Sequence, residues 1–567
     1  MKHGGNPGSS RGETRVGQVP AYELRMVTIE ENFQFLIFET GKQLDAALAN
    51  LEDPDPARFS VVQSRDDYID QLKALIESRC YRQVQDAGGS ARKLMDRLIA
   101  QNVITANLER IADYAVNLCK QALYLHNTRL PRQFNYFEMF SEVRAGIDGI
   151  LPALKDLDVD LAMEICNRES TLDNRFKEYL DRITLRLQSG RQARDLLTML
   201  FILRYLERMG DCLLNIGEAI ISAAVGQRMK IHQMEALDSN LRAVGNQPRL
   251  DSLKLHDYRD TRSGCRITRV EGIETVHAAR AAIFKEGRLA KIAREEANLR
   301  RWSELDPALV PRIFEYQPHE DKASLLVEYF TGNTLQALLL GGTEESGRLG
   351  VQEVLEVLPG IWERTLIQEP VAPRFLSQLK RRMGDVRRVH PGLGRHAQEL
   401  CGVTVPSLGD LLGLLAEVDR ELHAPFSVWI HGDLNVDNLI YNTKRNSLHL
   451  IDLYRSEQQD YLQDISVFMV SMYRLPVKDP QRRREIAQRI TSVRRAAEAF
   501  ALAHDDHEWQ ARLCLGIARS CISSIRFVLD RRFARQLFLL GIYLMETMVD
   551  HDGPASSYRL PRDLFRA

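Results

Sequence analysis

The sequence predicts a multidomain chain: an all-α N-terminal domain of two three-helix bundles, then an α+β C-terminal domain of two lobes. Three observations carry this. From about Tyr22 to Gly226 apolar residues recur at helical spacing, and the sparse prolines (Pro54, Pro56, Pro131, Pro152) fall where helices should end. Within that region a segment repeats. Leu108-Glu109-Arg110-Ile111-Ala112-Asp113 is followed by Asn117, and Leu206-Glu207-Arg208-Met209-Gly210-Asp211 by Asn215, at an offset of 98 residues. From about Asp251 the pattern changes to short strand-like runs, and the segment Ser427–Arg455 reads as a loop followed by a β-hairpin.

The N-terminal pattern resolves into six helices, at about 28–50, 57–83, 90–127, 137–152, 155–188 and 191–225. The repeat extends backwards. Asp66-x-x-x-Asp70 in the first half matches Glu169-x-x-x-Asp173 in the second, and Ala91-Arg92 and Ala193-Arg194 open the third helix of each half. The first copy then carries four extra residues, about one helical turn. A duplicated three-helix unit follows, each helix lending one face to a shared core. Residues 1–24 are Gly-, Ser- and Arg-rich and read as a disordered tail, 25–226 as the helical domain, 227–250 as a polar linker, and 251–567 as the second domain.

Bulk properties narrow the function. A chain of 567 residues is too long for one core. With 44% hydrophobic and 27% charged residues its composition is that of a globular protein in water. A net charge of −1 supplies no general pull toward nucleic acid or anionic membranes. The eight cysteines include no C-x-x-C pair and read as free thiols of a reducing cytosol. No apolar run approaches the ~18 residues of a membrane span, and the N-terminus has no apolar signal segment. A cytoplasmic protein is expected.

Glu109 and Asp113 stand at i, i+4 on one helix face, as do Glu207 and Asp211, beside the apolar stripe. Two like charges next to a core require a positive partner, either an arginine or a metal ion. Recurrence of the pair at equivalent positions favours the metal. These LERIADYAVN and LERMGDCLLN segments resemble the acidic helix signatures of the PhoU family. The resemblance covers roughly residues 25–226 and implies two pseudo-symmetric three-helix bundles, iron, zinc or another divalent ion on the acidic helices, and a regulatory role in phosphate uptake. The sequence departs from that pattern at Ala112, Tyr114 and Cys212, where the family has Gly, His and His.

In the second domain, strand-like runs around Cys265–Val270 and Ala281–Lys285 precede a helix at about 288–304, and Ser324–Phe330 forms another strand. Lys285 ends an apolar strand and Glu295 lies in the next helix, a pairing suited to gripping phosphates. Further on, Asp433 and Asn438 sit on the loop of Ser427–Arg455, and Asp452 follows its last strand. Acid and amide oxygens held over a rigid hairpin suit Mg²⁺, which takes few hard ligands and keeps other positions for water and phosphate. Asp433 and Asn438 are separated as in the kinase catalytic loop, where Asp accepts the acceptor proton and Asn holds metal.

The motif His431-Gly432-Asp433-Leu434-Asn435-Val436-Asp437-Asn438, followed by Leu450-Ile451-Asp452, resembles the aminoglycoside phosphotransferase and choline kinase group. The resemblance covers about residues 251–550. It implies a bilobal protein-kinase-like fold, ATP and Mg²⁺ as cofactors, Asp433 as base or substrate-orienting group, Asn438 and Asp452 as Mg²⁺ ligands, Lys285 as phosphate grip steadied by Glu295, and Asp464 as a brace of the loop. Two departures stand out: the only candidate for a glycine-rich phosphate loop is Thr261–Gly264, and Leu453-Tyr454-Arg455 follow the metal aspartate.

The resulting expectation is an ATP-dependent phosphotransferase acting on a small-molecule hydroxyl, joined to a metal- or phosphate-responsive helical domain. The alternative is a non-catalytic nucleotide-binding scaffold that regulates phosphate transport or signalling. Expected partners are ATP, the acceptor, a transport or signalling protein and a second copy in a homodimer, with no nucleic acid. The acceptor pocket is expected between helices at about 355–400 and 486–550, near Trp362, Arg364, Tyr473, Trp509 and Arg526.

Overall fold

Six long helices fill the N-terminal half: α1 (Ala21–Glu52), α2 (Pro56–Asp86), α3 (Arg92–Ala122), α4 (Tyr136–Asp156), α5 (Val159–Leu187) and α6 (Ala193–Val225). They belong to a computed structural model that describes residues 21–86, 92–226, 229–245, 253–257, 265–272, 281–394, 398–400 and 403–565. By internal contact the chain divides into two units, Met1–Tyr258 with Thr268–Arg280, and Arg259–Ile267 with Ala281–Ala567.

In the first unit α1, α2 and α3 pack on one another, α4, α5 and α6 do likewise, and α3 lies against α6. Close approach of α5 and α6 rests on small residues: a Cβ on Gly217 would stand 2.4 Å from Cys166 Sγ. Several helix ends differ from expectation. The first helix begins at Ala21 instead of 28, and the fourth runs on to Asp156 with Pro152 inside it instead of ending at 152. The third helix stops at Ala122 instead of 127, because the Asp195 carboxylate accepts the backbone N–H groups of His126 (2.8 Å) and Asn127 (3.3 Å) and fixes a turn there. The fifth starts at Val159 instead of 155, because Leu157 adopts left-handed backbone (φ 51°) and Asp158 caps the new helix through Leu161 N–H. The expected linker, for which the sequence left room for a short helix, holds one: α7 (Ile231–Ala243), which buries Met234, Leu237 and Leu241. The expected tail, apart from the start of α1, lies outside the described residues.

Strands β1 (Lys254–Asp257) and β2 (Arg266–Glu271) pair antiparallel. In the second unit, β5 (Lys322–Glu328) lies between β3 (Ala281–Arg288) and β4 (Ile313–Pro318), antiparallel to both, with α8 (Leu289–Leu305) packed on this sheet. The sequence did not signal β1 or β4; β4 is half-buried along most of its length and lacks a clean alternation. The chain then runs through β6 (Asn333–Thr334), α9 (Leu335–Gly341), α10 (Glu344–Thr365), α11 (Phe375–Val389), β7 (Gln398–Leu400), β8 (Val403–Val405), α12 (Leu408–Leu414) and α13 (Ala416–Glu421). Next come β9 (Val428–Ile430), β10 (Leu439–Asn442), β11 (Ser447–Leu450) and β12 (Glu457–Gln459), and last α14 (Leu462–Tyr473), α15 (Pro480–Ala503), α16 (Trp509–Ser524) and α17 (Arg531–Val549). A sheet-and-helix lobe followed by a largely helical one is the α+β bilobal architecture expected.

The helical lobe is anchored by a buried ionic knot. Arg512 is fully buried, with Nε 2.9 Å from Asp460 Oδ2 and Nη1 3.0 Å from Asp506 Oδ1, while Tyr461 donates its hydroxyl to Asp506 at 2.9 Å. Charges so placed are tolerable only when paired and hydrogen-bonded. The knot fixes the start of α14, and α14 carries a residue the site depends on. The described cysteines are free and buried; Cys401 lies outside the described residues. No helix among the described residues is long and apolar enough to cross a membrane.

Candidate active site

The loop between β9 and β10 is set by its buried residues. His431 is fully buried, and its Nε2 lies 3.1 Å from the Ile451 carbonyl. Gly432 has φ +80°, and a Cβ there would stand 2.2 Å from the Arg455 carbonyl oxygen, so only glycine fits. Asp464, on α14, accepts the backbone N–H groups of His431 (2.7 Å) and Gly432 (2.8 Å). Burial pushes its carboxyl up to about 7, against those two hydrogen bonds. The bracing role expected of Asp464 is therefore present in the geometry.

Asp433 follows, half-buried. Its Oδ1 accepts from Asn435 Nδ2 at 2.7 Å and its Oδ2 from Arg455 Nη1 at 2.7 Å. Asn438 donates through Nδ2 to the Asp433 carbonyl at 2.9 Å, which turns its own amide oxygen away from that contact. β10 and β11 pair from Leu439↔Leu450 to Asn442↔Ser447, and Ile451 N–H reaches Asn438 O at 3.0 Å. The hairpin thus brings Asn438 and Asp452 to the same end. Asp452 sits in left-handed backbone (φ 62°), which lifts its side chain off the strand line.

Lys285 on β3 and Glu295 on α8 form a buried ion pair. Burial alone would lower the Lys285 ammonium; Glu295 and then Asp452 outweigh it and hold it above its ordinary value. Lys285, Glu295 and Asp452 thus form one electrostatic unit, and Asn438, at the same hairpin end as Asp452, is joined to Asp433 through the Asp433 carbonyl. α8 is tied to the chain beyond Asp452: Asn298 donates to Leu453 O (2.7 Å) and Ser456 O (3.1 Å), and Trp302 Nε1 to Ser456 Oγ (2.9 Å). Asn438 and Asp452 offer hard oxygen donors of the kind Mg²⁺ takes, so the residues present fit that ion. Bound there, Mg²⁺ would neutralise the phosphates of a nucleotide. Thr261–Gly264, the candidate phosphate loop, lies outside the described residues.

A group of arginines around Asp433 was largely missed in the sequence. Besides Arg455, Arg382 on α11, Arg519 on α16 and Arg526 in the turn Ile525–Phe527 all lie within electrostatic range of Asp433. Arg519 is 3% exposed, packs over the Phe375 ring (5.2 Å), and leaves Nε and Nη2 without a hydrogen-bond partner among the described residues. Burial, with Arg382 and Arg455, pushes its guanidinium down to about 9. Of the residues expected to line the acceptor pocket, only Arg526 belongs to this group. Trp362 and Trp509 are core, Tyr473 packs with Phe533 and Phe565, and Arg364 donates to Leu305 O at 2.9 Å. Large aromatic residues in helices fill cores more often than they line sites; the informative signal was Arg519, a cation in a helix buried at every position but Gln510.

The doubled acidic helices also come together as the repeat implied. Asp66, Asp70, Glu109 and Asp113 form one cluster, where burial and then Asp113 and Asp70 push Asp66 up to about 6. Glu169, Asp173, Glu207 and Asp211 form the second, and burial raises Glu169 and Glu207. Cations already answer part of this charge: Lys73 lies 2.9 Å from Glu109, Arg204 2.6 Å from Glu207 and Arg208 2.8 Å from Asp211. Among the described residues no group of three or more His, Cys, Asp or Glu side chains is arranged to hold a metal ion. Glu207 Oε2 is buried without a hydrogen-bond partner, its nearest cation being Arg208 Nε at 3.9 Å.

Comparison with known proteins divides the chain the same way. The PhoU domain profile matches residues 36–122 and 137–220, and the phosphotransferase enzyme family profile matches residues 280–500. The PhoU homologue of the phosphate-specific transport system of Pseudomonas aeruginosa is 30% identical over 186 residues, covering 32% of this chain and 75% of its own length. PhoU homologue 1 of Thermotoga maritima is 26% identical over 217 residues, covering 37% of this chain and 91% of its own. Among solved structures, an aminoglycoside phosphotransferase of Streptomyces rimosus in complex with ADP and streptomycin aligns over 55% of this chain and 98% of its own, at 16% identity and a TM-score of 0.31.

Proposed function

From the premise that the chain belongs to the PhoU family through its N-terminal half and fuses to it a small-molecule kinase domain of the phosphotransferase enzyme family, we propose an ATP- and Mg²⁺-dependent phosphotransferase whose acceptor is a small-molecule hydroxyl and whose activity answers to the helical half. The observation that carries it is the hairpin end: Asp433, Asn438 and Asp452 on one side, and the Lys285–Glu295 pair electrostatically joined to Asp452 on the other. Asp433 orients the acceptor hydroxyl and takes its proton, Asn438 and Asp452 hold the ion, and Lys285 grips phosphate. Phosphoryl transfer needs little more from a protein than these positions and neutralised charge. Asp433→Ala should lower the rate by roughly 10²–10⁴-fold, the usual weight of a general base, and Asp452→Ala should abolish ATP turnover, both with unchanged far-UV circular dichroism. Undiminished turnover in both variants would reject the assignment.

One observation favours a second reading, a non-catalytic nucleotide-binding scaffold acting on a phosphate-transport or signalling partner. Arg455 occupies Asp433 Oδ2, so the base is already spoken for. Mg²⁺-dependent ATP binding with no turnover on any acceptor would support that reading. In both readings the protein works in the cytoplasm, and the acidic helices of the PhoU half take a divalent ion.

A further inference from the structure

Asp433 is surrounded by more positive charge than it can neutralise. Arg455 reaches it directly. Arg382, Arg519 and Arg526 come from α11, from α16 and from the turn that follows α16, elements packed against one another. The remaining acids nearby do not balance them. Asp464 spends its oxygens on two backbone N–H groups and acts on Arg519 only through its field. Asp385 pairs with Arg388 at 3.3 Å and is also near Arg526. Asp452 is shared between Lys285 and Arg455. The arginines moreover repel one another: Arg382 lies in the field of Arg455 and Arg526, and Arg519 in that of Arg382 and Arg455. Burying a guanidinium with two unpartnered N–H donors in such company is costly unless an anion completes it. Arginine is also the side chain whose planar fork matches carboxylate and phosphate oxygens.

We propose that this cluster is the acceptor subsite, and that the acceptor is a hydroxylated small molecule carrying at least one anionic group, phosphate or carboxylate, held by Arg382, Arg519 and Arg526 beside Asp433. The inference rests on the phosphotransferase reading for the word acceptor, since the cluster surrounds the proton-accepting side and not Lys285. The anionic group draws the three arginines together and sets the hydroxyl at Asp433. Arg455, already on Asp433 Oδ2, holds that carboxylate in place. A polycationic aminoglycoside would meet like charge here, so the specificity is opposite to what that class of acceptor requires.

The test is calorimetric titration of inorganic sulfate into the full chain saturated with Mg²⁺ and ADP, so that the nucleotide site is filled. Saturable binding is expected, weakened at least about ten-fold by Arg382→Gln and by Arg526→Gln, both half-buried positions. Arg519→Gln is measured beside them with circular dichroism as the fold control. Glucose phosphate and gluconate should displace sulfate, their ranking telling phosphate from carboxylate, and kanamycin should not. No sulfate binding, equal binding in the variants, or displacement by kanamycin as strong as by the anions would overturn the inference. The two readings separate cleanly. Phosphate transfer to kanamycin that ignores the arginine substitutions keeps the phosphotransferase and rejects the anionic acceptor. Arginine-dependent sulfate binding with no transfer to any acceptor keeps the anion subsite and rejects the phosphotransferase.

Discussion

Asp464 shows how one side chain governs the loop. Its two oxygens hold the backbone of His431 and Gly432, and nothing else in the loop can replace both contacts. Burial raises its carboxyl from 3.8 to about 7, so between those values the folded protein holds a proton that the unfolded chain has released. Stability from this group is therefore greatest at low pH and falls as pH rises towards 7. The unfolding midpoint of the C-terminal unit in urea, wild type minus Asp464→Asn, should decline over that window and level off above it. A difference that rises with pH, or stays flat, would contradict the assignment. The residues legible in the sequence were those whose roles follow from short spacing: Asp433, Asn438 and Asp452 within one hairpin, and Lys285 with Glu295 on consecutive elements. Arg382 and Arg519 were not legible, because they meet only after α11 and α16 have packed, and nothing local to either marks the encounter.

At the scale of elements, α8 does two things at once. It presents Glu295 to Lys285, and through Asn298 it holds two carbonyls just beyond Asp452. The residues proposed to grip phosphate and to hold the ion are thereby fixed by one helix. Asn298→Ala removes the side-chain donor from the Ser456 carbonyl and one of the two donors from the Leu453 carbonyl, which keeps Ser456 N–H at 3.0 Å, and should cost about 1–3 kcal/mol of stability. It should also raise KM for ATP more than it lowers kcat, because chemistry at Asp433 is untouched. A kcat loss at constant KM would contradict this coupling. The helix itself was readable from periodicity, but its partner segment was not. Leu453-Tyr454-Arg455 looked like a departure from the kinase pattern, and the structure gives part of it a use: the Leu453 carbonyl anchors Asn298, and Arg455 engages Asp433. β1 escaped notice because it is only four residues long, and β4 because it lacks an alternating face.

On the scale of the whole chain, duplication made the N-terminal half readable. Two copies of an acidic helix signature at a fixed offset fixed the pairing of α2 with α3 and of α5 with α6, and the clusters at Glu109 and Glu207 follow from it. The repeat disclosed only part of how the charge is met: Arg208 within it pairs with Asp211, but Lys73 and Arg204 come from outside the repeated segment. For the ion proposed on the acidic helices, the buried Glu207 Oε2, without a hydrogen-bond partner, marks the second cluster as the place to look. Elemental analysis of the full chain should show a divalent metal that is lost in the Glu207→Ala, Asp211→Ala double variant; equal metal content in the two proteins would assign these acids to ion pairing alone. For the fusion as a whole the deciding claim is that the C-terminal half moves phosphate. Transfer of label from γ-labelled ATP to a small hydroxylated acceptor by the full chain with Mg²⁺ tests it most directly. The account predicts labelled product with wild type and none above background with Asp433→Ala. Labelled product formed equally by both proteins would contradict it.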